Sequence, residues 1–362
     1  MHSRLIAVYH IRCDASSAEE RARSIAVEQS VEMPVAGIDD EYVRSDIIGR
    51  VESVRDLGGG HFEARVSLAP ETVGGDAGQL INMLFGNTSL HEDVVLHDME
   101  IPDALAAAFG GPRHGLRELR RRVGAARRAL TCSALKPQGL RPEALADLAR
   151  RFAQGGIDYV KDDHGLADQA YAPFAARVTT IAQALRHTGG TAHYVPSLSG
   201  DLDSMRRQIA LAADAGIDTV MVAPMIMGLS NFHALVRNHP GMAFVAHPAL
   251  AGLRASPTAL LGKLFRLLGA DAVIFPNHGG RFGYSADTCR ALARALLEDR
   301  NGQKPSVPVP AGGMTRERVA EMLEFYGSDS MLLIGGALLE TRERLVETTS
   351  DFVGEVQRYR YG

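Results

Sequence analysis

Four consecutive residues, Lys161-Asp162-Asp163-His164, concentrate more chemistry than any other stretch of the chain. Alternation along a strand places Lys161 and Asp163 on one face, with His164 at the turn beyond. Aspartate and histidine are metal ligands, yet this spacing matches no zinc signature. A lysine joins them only as a neutral amine or, after adding carbon dioxide, as a carbamate whose oxygens suit magnesium. The plain alternative is a salt-bridged KDD at a strand end. Lys136 is a candidate proton carrier, or a fixed counter-charge for a phosphate. His247 could hydrogen-bond to a substrate or exchange a proton. Gly312-Gly313 and Gly335-Gly336 are bare backbone pairs of the kind that bind phosphate, with Asn277, His278 and Arg281 nearby. Gly279-Gly280 would let the Arg281 loop close over substrate.

These groups need elements that bring them to one place. From Leu130 onward, short apolar runs alternate with helical stretches. The runs are TCSAL, IDYVKDD, AHYVPSL, DTVMVAP, MAFVAHP, DAVIFPN, VPVPAG and MLLIGG. Eight strand–helix repeats fit a (β/α)8 TIM barrel better than an open doubly wound sheet. The open sheet would carry a glycine-rich first turn, and TCSALKPQG is not one. In a barrel the strand ends meet at one mouth. Lys136 would follow the first strand, Lys161 to His164 the second, Ser199 and Gly200 the third, and Met225 the fourth. His247 would follow the fifth, His278 and Arg281 the sixth, and the glycine pairs the last two.

The first part reads as a mixed α+β unit. LIAVYHI, FEARVSLA and HEDVVLHDMEIP are strand candidates, and SSAEERARSIAVEQS is a helix with a capping serine. The expected division is an α+β domain over 1–125 and the barrel over 126–362. GGPRHG at 110–115 would be a hinge, or the start of a linking helix.

With 362 residues the chain can hold both units. Its 39 basic and 43 acidic residues give a net charge of -4, so no nucleic-acid footprint is present. No apolar run approaches the roughly 20 residues that span a bilayer, and MHSRLIAVYH is too quickly polar for a signal peptide. Cys13, Cys132 and Cys289 are too few and too scattered for a disulfide framework, so a reducing cytoplasm is expected. Cys132 lies inside the first barrel run, where burial is the natural reading. His114 and His233 have no constellation around them and read as structural.

CSALKPQGL and GGIDYVKDDHGLADQ resemble the two hallmarks of the ribulose-bisphosphate carboxylase large-chain family. IAVEQS, LFGN, GPRHGL, AHYVPSLSG, AHPALAG, PNHGGRFG, VPVPAGGM and LLIGG extend the resemblance over almost the whole chain. It implies a ferredoxin-like α+β domain, a barrel, and a homodimer in which Glu28 and Asn87 complete the partner's site. By the same resemblance Lys136 is the catalytic lysine, and Lys161 is the lysine that becomes carbamylated. Asp163 would be a magnesium ligand, with His164 standing where a second carboxylate belongs. His247 matches the strand-5 histidine, and Gly312, Gly313, Gly335 and Gly336 match the glycines around the first phosphate. The departures are Gln138 for a second lysine, Pro248 for an arginine, and Ile274 for a histidine. Arg281 replaces the mobile-loop lysine, and Ala311 replaces a serine.

These losses imply a site for one phosphate rather than two. The resemblance is therefore to a ribulose-bisphosphate carboxylase-like protein (form IV), not to a carbon-fixing enzyme. Such proteins work through a magnesium-stabilised enolate of a phosphorylated ketose-like substrate. Because His164 departs from the KDDE pattern, the favoured expectation is a lyase that decarboxylates 3-oxo-isoapionate 4-phosphate. The alternatives are an isomerase or enolase of a methylthio-sugar phosphate, a transcarboxylase/hydrolase of 3-oxo-isoapionate 4-phosphate, and a non-catalytic regulatory relative.

Overall fold

The computed structural model describes residues 3–252, 254–300 and 302–361. Strands β1 (Leu5–Arg12), β2 (Arg50–Gly58), β3 (His61–Leu68) and β4 (Val94–Glu100) pair antiparallel in the order β2-β3-β1-β4. Alternation divides β1. Leu5, Ala7, Tyr9 and Ile11 join one apolar cluster with Ala22 and Ile25 of α1 (Ala18–Glu28) and with Leu80 and Leu84 of α2 (Ala77–Phe85). The Tyr9 hydroxyl donates to the Leu84 carbonyl at 2.6 Å. His10 and Arg12 face the other side.

Two local expectations fail here. β2 has no counterpart in the sequence reading, because RVESVRDLG is an edge strand with no buried residue and so carries no apolar alternation. Ser17 does not cap α1; its hydroxyl donates to the Asp14 carbonyl at 2.9 Å.

Each of the eight expected barrel runs forms a strand. They are β5 (Leu130–Leu135), β6 (Tyr159–Asp162), β7 (His193–Val195), β8 (Thr219–Val222), β9 (Ala243–Ala246), β10 (Ala272–Pro276), β11 (Val307–Ala311) and β12 (Met331–Leu333). All pair parallel, in the orders β12-β5-β6-β7 and β8-β9-β10-β11. A bridge from Ser197 to Met221 joins β7 to β8, and β11 lies beside β12, closing the ring. This is the α+β domain followed by a (β/α)8 barrel that the sequence implied.

The barrel interior is packed, not open. Cys132, Tyr159, Val195, Met221, Val245, Ile274, Val309 and Leu333 share a buried cluster with Leu116 and Leu119. Those two leucines come from the helix Gly115–Arg122, which closes the N-terminal end of the barrel and accepts the Tyr159 hydroxyl at Leu119 O, 2.8 Å. Asp271 seals the same end by accepting from the His114, Gly115 and Phe244 N–H groups at 2.7, 2.7 and 2.9 Å. His233 is buried with its ring against Phe109 and Nε2 on the Phe109 carbonyl, a structural role as expected.

The N-terminal sheet docks on its own barrel through β4. Leu96 N–H donates to Arg254 O (3.0 Å), Ser256 N–H donates to Leu96 O (2.8 Å), and Lys263 pairs with Asp98 at 2.5 Å.

Candidate active site

Strand alternation determines what β6 offers to each side. Asp162 points away from the interior into a fully buried network. It accepts from Arg177 Nε (3.1 Å), the Tyr194 hydroxyl (2.7 Å) and Ser197 N–H (3.0 Å). The middle aspartate of KDD is therefore an anchor that holds β6 against β7 and the following helix, Phe174–Thr188.

Lys161 and Asp163 face the mouth. Lys161 is buried, its Nζ donating to Asp162 O at 2.8 Å, and burial pushes its ammonium below the ordinary lysine value. Asp163 collects three donors: Lys136 Nζ at 2.7 Å, His164 Nδ1 at 3.0 Å and the Gly165 N–H at 3.1 Å. Although burial raises its pKa, the bonds from His164, Lys136 and Gly165 hold this carboxyl well below the usual range. The His164 ring stacks on His247, with centroids 4.3 Å apart and 7° between planes. His247 Nδ1 accepts the Ala249 N–H at 3.1 Å, so the neutral ring carries its proton on Nε2. Burial, with Lys161 and His164 nearby, lowers its pKa to about 2. Lys136, Lys161, Asp163, His164 and His247 thus form one contiguous group drawn from the ends of three strands.

The other candidates are placed differently. Glu28 and Asn87 pair with each other at 2.9 Å on the N-terminal domain, where Asn87 also donates to Glu32. His278 turns its ring onto Phe325 and Tyr326, at 4.4 and 6.4 Å between centroids, rather than into the mouth. Asn277 is buried against Tyr326, Met314 and Met322.

The two glycine pairs are not equivalent. A Cβ on Gly280 would meet Gly312 O at 2.1 Å, and one on Gly312 would meet the Phe282 ring at 2.9 Å. Gly312 and Gly313 also have φ of +82° and +97°. These residues zip the loop after β10 to the loop after β11. Gly336 has nothing within 4 Å of a Cβ position, leaving its backbone open to a ligand. Arg281 is exposed, its guanidinium lying over the Phe282 ring at 4.9 Å. Cys132 is buried and its thiol is pushed up to about 12 by burial, so it is no nucleophile.

The donor set at the mouth fits a divalent ion. Burial lowers the pKa of Lys161, the direction a carbamate-forming amine needs, the Asp163 carboxyl is held below its usual range, and the His164 ring turns Nδ1 toward Asp163. A second group with metal-binding potential, His10, Glu63 and His97, lies on the N-terminal sheet and points to divalent-metal use by the chain. No sequence signal marked it, because its residues come from three strands whose register the sequence does not display.

Residues 115–340 match the family model described as ribulose bisphosphate carboxylase large chain, catalytic domain. The chain belongs to that family. It is 60% identical over 362 residues to the 5-methylthioribulose-1-phosphate isomerase of Rhodospirillum rubrum, covering 98% of this chain and 97% of that one. It is 32% identical to a 2,3-diketo-5-methylthiopentyl-1-phosphate enolase of Geobacillus kaustophilus, covering 82% and 76%. The crystal structure of a Rubisco-like protein from Rhodopseudomonas palustris superposes with a TM-score of 0.93 at 49% identity, covering 100% of each chain. The family member described here falls with these RuBisCO-like proteins. No helix among its described residues is long and apolar enough to cross a membrane.

Proposed function

We propose that the protein is an isomerase of 5-methylthioribulose 1-phosphate, moving a proton between carbons beside the ketose carbonyl. The observation that carries this reading is the 60% identity, along nearly the full length of both chains, to the isomerase of that name. Decarboxylation of 3-oxo-isoapionate 4-phosphate, favoured from the His164 substitution alone, becomes the second reading. In the structure His164 retains a hydrogen bond to Asp163, so its presence does not by itself call for loss of carbon dioxide.

The site chemistry suits proton transfer. The neutral His247 donates from Nε2 to the substrate carbonyl oxygen, polarising it without giving up its proton. Lys136, held by Asp163, carries the proton to or from the enediolate carbon. Asp163 holds the Lys136 amine in place through their 2.7 Å contact. A magnesium ion held by carbamylated Lys161, Asp163 and His164 would supply Lewis-acid stabilisation of the enediolate. The open Gly335-Gly336 backbone and Arg281 would hold one phosphate, with Gly312, Gly313 and His278 supporting that loop pair. In a homodimer, exposed Asn87 and its partner Glu28 would complete the neighbouring mouth.

The test supplies purified protein with magnesium, bicarbonate and 5-methylthioribulose 1-phosphate in deuterium oxide. Deuterium should enter an isomeric product with no release of carbon dioxide. Inertness toward this substrate, together with carbon dioxide release from 3-oxo-isoapionate 4-phosphate, would establish the lyase instead. In the same assay Arg281→Ala should raise KM and lower kcat, by about tenfold or more in kcat/KM, because a charge-assisted phosphate contact is lost. Unchanged kinetics would remove Arg281 from the phosphate site.

A further inference from the structure

One sector of the barrel mouth is apolar and takes no part in the proton transfer described above. β8 and β9 pair with Val222 opposite Ala246, so the segments VAPMIMG (222–228) and AHPALAG (246–252) leave the ring side by side. Neither contains an aspartate, glutamate, lysine or arginine, in contrast to the charged ends of β5 and β6. Ile226 lies as far beyond Val222 as Leu250 lies beyond Ala246, and both side chains are 65% exposed. Met225 and Met227 flank Ile226 and are half-buried.

Leu250 is held there against two local preferences. The Ala251 N–H donates to the Pro248 carbonyl at 3.0 Å, closing a tight turn in which Leu250 is the third residue. Its φ of +63° is a left-handed value that such turns normally give to glycine or asparagine. A bulky residue kept in that conformation, with its apolar side chain in water, marks a position where the side chain has a use. The same turn orients the ring that meets the substrate carbonyl, since the Ala249 N–H donates to His247 Nδ1 at 3.1 Å.

Ring order supplies the occupant. The strands run β12-β5-β6-β7-β8-β9-β10-β11 around the closed barrel, so β8 lies diametrically across the mouth from β12. The isomerase reading, on which this inference rests, puts the substrate phosphate on the Gly335-Gly336 backbone after β12. The opposite end of the pentose chain, which carries the methylthio group, is then directed at β8 and β9. We propose that Ile226 and Leu250 form the subsite for that methylthio group, selecting a thioether over a hydroxyl at the same carbon. A thioether is apolar and polarisable, and its contact with these side chains removes apolar surface of both from water. A hydroxyl or a second phosphate would be stripped of water there with no charged partner to replace it.

The experiment measures calorimetric dissociation constants for 5-methylthioribitol 1-phosphate and ribitol 1-phosphate, which lack the carbonyl and do not turn over. The parent should hold the methylthio compound about tenfold or more tighter, the range for a small group in an apolar pocket. Leu250→Asn should lose most of that preference while its affinity for ribitol 1-phosphate stays unchanged. Asparagine accepts the left-handed backbone, so the turn and the melting temperature should survive. Ile226→Ser leaves the turn alone and should reduce the preference in the same direction. Equal affinity of the parent for both compounds, or a preference that persists in both variants, would overturn the proposal. So would equal losses on both compounds with protomers separating in sedimentation, which would place Leu250 between copies of the chain. Where the parent still isomerises 5-methylthioribulose 1-phosphate in deuterium oxide, such a result removes this subsite alone. Inertness toward that ketose removes the isomerase reading and the subsite with it.

Discussion

Lys161→Met is expected to lower kcat by about a thousandfold or more, in line with removal of a group on which proton transfer depends. The fold should survive intact. Lys161 Nζ makes one hydrogen bond, to Asp162 O, and burial disfavours its charge. Methionine keeps the length of the stem and removes a polar nitrogen that is costly to bury. The melting temperature should therefore hold or rise while turnover collapses. That combination distinguishes a chemical role from a structural one, because a lysine retained only for packing would leave kcat nearly unchanged. Measuring kcat on 5-methylthioribulose 1-phosphate beside thermal unfolding of the same samples decides between them. Retained turnover with unchanged magnesium dependence would remove Lys161 from the metal site.

Arg177→Met should have the largest effect on stability. Arg177 and Asp162 are both fully buried, and Arg177 also donates to Ala167 O at 2.8 Å and Ala172 O at 2.7 Å. Losing the guanidinium strands the Asp162 carboxylate with only the Tyr194 hydroxyl and Ser197 N–H as donors. Breaking a buried pair in this way costs about 3–5 kcal/mol, measurable as a fall in the denaturation midpoint. Adding Asp162→Asn removes the uncompensated charge and should restore part of the loss. A cost under about 1 kcal/mol would mean that the pair contributes no more than an exposed one. Because Asp162 sits between Lys161 and Asp163, the variant should also lower activity before it unfolds.

The barrel was legible because eight short apolar runs alternating with helices, with no glycine-rich turn after the first, fit a closed parallel ring better than an open sheet. The mouth was legible for the same reason, since Lys136, Lys161, Asp163, His164 and His247 each end or follow such a run. His278 shows the limit. It follows a strand as the others do, yet a loop has no periodicity to state direction, and its ring packs on Phe325 instead. β2 escaped notice because an exposed edge strand buries no apolar row, and so leaves no alternation to read.

From its amino acids alone the chain declared an α+β unit, a closed barrel, the family it belongs to, and the strand ends that meet at one mouth. Local patterning encodes these, since each element must bury one face. Only the tertiary structure distinguished Asp162 the anchor from Asp163 the partner of Lys136. It alone showed the Gly312 loop packed on its neighbour and the Gly336 backbone open. It alone gathered His10, Glu63 and His97, which lie far apart in sequence. Each of these depends on strand register and on which groups meet across the fold, relations between distant residues that no local pattern carries.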